Sequence, residues 1–183
     1  MGAFLMKKVL SIFFVVLILL IGSIAAFNYI KVIKPYDEIY ESDPRNKGVE
    51  ISVHYQNYIN PKILVFSVDS IAPSNSMADV FRVLWSYAGK MKSEKFDKVE
   101  LAYKGNVRFY VSGTHFQNIG MEYGIQNPVY VIRTFPENVY TKDGLRAFNV
   151  WTGGVIGVTG KQMEDFNELN KKWYLNDLLK KAD

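Results

Sequence analysis

Two histidines, His54 and His115, are the side chains in this sequence best suited to moving a proton near neutral pH. His115 follows Thr114 at the start of a short predicted helix. A neutral imidazole there could act as a general base, with Glu122 or Asp69 as the orienting carboxylate. That arrangement would imply an exported hydrolase or transferase, yet no nucleophile is placed beside His115 by the sequence. The plainer reading is a partly exposed histidine at a helix terminus. His54 falls on the polar face of the first predicted strand and reads as a surface residue. No His-x-x-x-His or Asp-x-Asp spacing occurs, so no metal site and no cofactor are expected.

The stretch Gly153-Gly154-Val155-Ile156-Gly157-Val158-Thr159-Gly160-Lys161 invites comparison with a phosphate-binding loop. Such a loop needs a glycine five positions before its Gly-Lys and a hydroxyl after the lysine. Val155 and Gln162 occupy those two places. A turn or close backbone packing near Trp151 is the simpler expectation, and Gly153 with Gly157 could let two helices approach.

Arginines beside tyrosines offer a different chemistry, since a guanidinium pairs bidentately with anions and stacks on rings. Arg133 sits in the apolar run Val129–Thr134, and Arg108 lies next to Phe109 and Tyr110. The alternative is outward charge that keeps an edge strand soluble. Tyr123, Tyr130, Phe135, Tyr140, Phe148, Trp151, Trp173 and Tyr174 crowd the C-terminal third. Aromatic rings with polar tips favour interfaces, although packing around irregular loops uses them too. Tyr130, Arg133, Trp151, Tyr123 and Tyr140 are therefore the expected ligand- or partner-binding residues.

The chain that must position these groups has 183 residues, no cysteine and a formal charge of +4. Without cysteine there are no disulfides, zinc knuckles, thiol nucleophiles or lipoprotein thioethers. Val9 to Phe27 is nineteen residues without a charge, preceded by Lys7 and Lys8 and by no acidic residue. A helix of that length covers about 28 Å, close to a hydrocarbon core of about 30 Å. The lysine pair predicts a cytoplasmic N-terminus, with the rest of the chain periplasmic or otherwise extracytoplasmic. A single-pass inner-membrane anchor is one reading of residues 1–27. A secretory signal cleaved near Ala25 or Ala26 is the other, although the apolar run exceeds the usual signal core.

Residues 1–27 hold two of the 22 basic residues and none of the 18 acidic ones, so the remainder carries only +2. A charge so close to balance, without runs of one sign, argues against nucleic acid as a partner. Residues 28–48 read as a polar stalk in which Pro35 ends any helix arriving from the membrane.

Residues 49–183 read as an exported α+β domain. Val49–Tyr55 alternates as a half-buried strand, and Ile63–Ile71 has the composition of a central one. Met77, Val80, Phe81, Leu84, Trp85, Ala88 and Met91 define an amphipathic helix over 76–92, opened by a Ser76–Asp79 capping box. A hairpin follows over 98–111 with Gly105-Asn106 as its turn, and then a helix from Thr114 to Tyr123 stopped by Gly124. Val129–Thr134 reads as an edge strand, residues 145–158 as either a helix or a hairpin, and Thr159–Gln162 as the cap of a C-terminal helix. The expected fold is a small antiparallel or mixed sheet of about four to five strands, packed by these helices. The expected role is a membrane-anchored binding or assembly module of the bacterial cell envelope. Its lipid contact would be residues 9–27, and its protein or ligand contact the aromatic, glycine-rich C-terminal third.

Overall fold

The computed structural model describes residues 2–180; the last three residues of the expected exported domain lie outside the described residues. The chain opens with a long helix. Its first part, α1 (Gly2–Asn28), passes through a π-helical turn (Tyr29–Ile33) into α2 (Lys34–Ser42) without a break. The apolar part of α1 is exposed along most of its length, and this helix is long and apolar enough to cross a membrane.

The segment read as a stalk is helical as far as Ser42. Pro35 stands in the first turn of α2, directly after the wider π turn, where a missing N–H is tolerated. Asn28, Val32 and Tyr36 follow at four-residue spacing and are buried. The helix that carries the apolar span therefore continues along the domain with one face packed on its core.

Five strands form one mixed sheet in the order β1 (Val49–Gln56), β2 (Asn60–Ile71), β3 (Lys98–Tyr103), β4 (Asn106–Ser112), β5 (Val139–Thr141). All neighbours are antiparallel except β2 and β3. Helix α3 (Met77–Lys90) makes the crossover that this parallel pair requires. The molecule is α+β, with β2 central and its Leu64, Phe66 and Val68 buried. β2 begins at Asn60, three residues before the expected start at Ile63.

Alternation on β1 puts Val49, Ile51, Val53 and Tyr55 against the helices. Asp79 accepts a hydrogen bond from the Ser76 N–H at 2.7 Å and so fixes the start of α3. The β3–β4 turn falls on Lys104-Gly105, both with positive φ, one residue before the expected place. A register shift between Leu101 and Ala102 accompanies it.

Helix α4 (Gly113–Glu122) crosses α3 closely: a Cβ on Gly120 would lie 2.2 Å from the Ala88 carbonyl oxygen. Val129–Thr134 is not a strand. It belongs to α5 (Pro128–Thr134), because Asn127 accepts from the Val129 N–H at 2.9 Å and Pro128 is preorganised for a first helical turn. The third member of the β4 edge is instead Val139–Thr141.

Residues 145–154 form neither of the two expected structures; they run irregularly apart from a bridge between Tyr140 and Arg146. Helix α6 (Val155–Asn170) starts at Gly154, earlier than the Thr159 cap predicts. A π turn (Lys171–Leu175) then leads into α7 (Asn176–Leu179). Phe166, Leu169 and Trp173 enter the core, and the Trp173 Nε1–H donates to the Ala102 carbonyl at 2.8 Å.

Candidate functional site

A groove of ≈ 550 Å³ lies beside α3, lined by Phe81 and Trp85 and by Tyr123, Pro128 and Ile132. Its construction is local. Trp85 donates from Nε1 to the Ile119 carbonyl at 2.6 Å, and Tyr123 meets the Trp85 ring edge-on at 5.5 Å. Ser86 Oγ donates to the Tyr123 hydroxyl at 3.0 Å. Gly89 is what lets Tyr123 lie against α3, since a Cβ there would sit 2.9 Å from the ring. The sequence marks this position only as a glycine inside an amphipathic helix, where it carries a propensity cost, and does not point to its partner.

Arg45 and Arg82 stand at the groove, but both are already engaged. Arg45 forks onto Asp43, while Arg82 pairs with Asp79 and donates to Asn46 Oδ1 at 3.2 Å. What remains available is apolar surface. From the end of α4 through the connection to the start of α5, Met121 is 52% exposed, Tyr123 46%, Ile125 86% and Val129 60%.

Tyr130 and Arg133 lie together on α5, with the guanidinium 5.1 Å from the ring centre. Arg133 also donates to the Gln162 side-chain oxygen, and Gln162 Nε2 donates to Glu137 at 2.6 Å. Trp151 joins the same network. Its N–H points at Glu137 (3.4 Å), its Nε1 donates to Asp165 at 2.7 Å, and Lys161 lies over its ring. Arg133 and Trp151 thus tie α5, the following turn and α6 to one another, and their polar groups are consumed in doing so.

Tyr140 is on the other side of the molecule. The strand register aligns His54, Val65, Glu100, Tyr110 and Tyr140 in one row across the sheet face opposite the core. Tyr110 and Tyr140 stack at 5.4 Å and Arg146 covers Tyr140. A cavity of ≈ 340 Å³ runs along this face past His54, Lys98, Glu100, Tyr110 and Lys142. The buried Glu100 carboxylate accepts from Gln56 Nε2 at 3.0 Å and pairs with Lys98 Nζ at 2.8 Å, so its charge is compensated within the protein.

His115 lines a smaller cavity of ≈ 230 Å³ together with Glu122, Tyr130 and Glu137. Its Nε2 is shielded from water and has no hydrogen-bond partner among the described residues. Burial pushes the imidazole pKa down to about 4. The ring is therefore neutral at pH 7 and a poor base. Asp69 is occupied by Ser67 Oγ at 3.0 Å on β2 and does not line this cavity. The base–carboxylate hydrogen bond that triad-like chemistry uses is not formed at Nε2.

A Cβ built on Gly153, Gly154, Gly157 or Gly160 meets nothing within 4 Å among the described residues, so this stretch is not a close-packing seam. No group of three or more metal-ligating side chains occurs among the described residues. Comparison with protein-family models, curated proteins and solved structures finds no match.

Proposed function

We propose that this protein is a membrane-anchored binding module of the bacterial cell envelope, held by an uncleaved N-terminal span with its domain on the extracytoplasmic side. The observation that carries the anchor is the unbroken helix from the apolar span into the core, with Asn28, Val32 and Tyr36 buried. Helix also runs through Ala25 and Ala26, the place where a signal peptidase would have to cut.

The binding surface under this proposal is the α3–α5 groove with the exposed apolar residues Ile125 and Val129 beside it, and Tyr123 as its aromatic contact; Tyr130 lines the His115 cavity instead. Its occupant is a segment of an envelope protein that presents apolar side chains. The cations at the groove are satisfied internally, which disfavours a ligand recognised by its negative charge. Trp151 and Arg133 support the surface from behind through Glu137 and Gln162. Tyr140, across the sheet, does not contribute.

Photo-crosslinking in native membranes tests this reading. A crosslinking residue at Ile125 or Gln126 should trap a discrete protein adduct, and one at Tyr140 should not. Equal adducts at all three positions, or none at Ile125 and Gln126, would overturn the assignment.

A further inference from the structure

The hairpin between β1 and β2 reaches back toward the apolar span. Its tip, Asn57-Tyr58-Ile59, forms one wall of a cleft whose other wall is Ile21, Ile24 and Ala25 of α1. Asn28 clamps the two together: its Nδ2 donates to the Tyr58 carbonyl at 2.7 Å, and its Oδ1 accepts from the Tyr55 N–H at 2.9 Å. At 1.5 Å per residue, Ile24 and Ala25 lie about 4–6 Å from Asn28 toward the cytoplasmic end, and Ile21 about 10 Å. All three belong to the charge-free run Val9–Phe27. The tip therefore lies level with residues that the anchor reading places inside the bilayer.

The chemistry of the tip fits that depth. Tyr58 is 54% exposed and Ile59 65%, although both sit at a hairpin turn where polar residues are usual. Asn57 and Tyr58 have φ of 51° and 63°, and the Ile59 N–H donates to the Gln56 carbonyl at 3.2 Å, which closes a two-residue turn. Glycine is the favoured residue at the second position of such a turn, and a bulky aromatic there works against the backbone preference. His54 stacks on Tyr58 at 4.5 Å and holds the ring in place. A tyrosine beside an isoleucine at the edge of an apolar span has the composition of a membrane–water interface.

We infer that the β1–β2 hairpin tip is a second membrane contact, in which Tyr58 and Ile59 enter the outer interface of the bilayer beside α1. This rests on the anchor reading and adds to it a fixed docking of the domain on the lipid surface. A single helix would leave the domain free to tilt, whereas a helix and a hairpin tip define a seat.

The chain has no cysteine, so a single introduced thiol can be labelled cleanly. Full-length Ile59→Cys, Ile18→Cys and Asn106→Cys would each carry an environment-sensitive nitrobenzoxadiazole in phosphatidylcholine–phosphatidylglycerol vesicles. Quenching would be read with lipids spin-labelled near the headgroup or near the chain end. Ile59→Cys should be quenched several-fold more strongly than Asn106→Cys, and most by the shallow label; Ile18→Cys should respond most to the deep label. Tyr58→Cys provides a second report on the tip. If Ile18→Cys is quenched while both tip labels behave as Asn106→Cys does, the hairpin contact is wrong and the anchor stands. If Ile18→Cys is also unquenched, the anchor reading itself fails.

Discussion

The imidazole of His115 has been stripped of water without being given a partner at Nε2. Its pKa in the folded chain falls to about 4, against about 6.5 when solvated. Between those values the unfolded state binds a proton that the folded state refuses. Stability is therefore complete above pH 6.5 and declines as the pH drops toward 4, by up to about 3 kcal/mol. His115→Phe beside Phe135 removes the titrating group, and should flatten that decline when unfolding midpoints in detergent are compared at pH 4.5 and 7.5. An unchanged acid limb would show that His115 is better solvated than its surroundings imply. The sequence could place His115 at a helix start, and α4 does begin two residues before it. Its solvation was illegible, because the covering residues come from α5 and the turn after it, more than ten positions away.

At the scale of elements, the joint between helix and hairpin rests on Asn28. Asn28→Ala leaves the Tyr55 N–H and the Tyr58 carbonyl without their side-chain partner. One of these groups is fully buried, so the loss should be about 2–3 kcal/mol of domain stability by denaturation in detergent. A change below about 0.5 kcal/mol would mean that the joint is held by Phe27 and Tyr55 alone. The regular elements were readable where periodicity is strong: the alternation of β1 and the apolar stripe of α3. Two readings failed for identifiable reasons. Pro35 looks like a helix stop until the π turn before it makes room for the ring. Val129–Thr134 has strand composition, but Asn127 and Pro128 begin a helix there, and local capping outweighs β-propensity.

For the whole molecule, the decisive feature is which surfaces the fold leaves uncovered. One sheet face is sealed by helices, and the other carries the row from His54 to Tyr140. The α3–α5 groove opens elsewhere, so the aromatic residues of the C-terminal third divide between two surfaces. Aromatic density along a sequence carries no information about sides, which is why Tyr140 grouped with Tyr130 on paper and does not in space. The α+β class and the apolar N-terminal helix were legible, because both follow from patterns within short windows. The groove depends on Gly89 meeting Tyr123 across 34 positions, and no local pattern encodes that contact.

The account turns on a helix that stays attached from the apolar span to the core. Intact-mass spectrometry of the protein purified from the membranes of cells expressing it tests this directly. The prediction is a chain retaining residues 1–26, at the full 21.0 kDa apart from processing of the initiator methionine. A mature species beginning at Ala26 or Phe27 would contradict it.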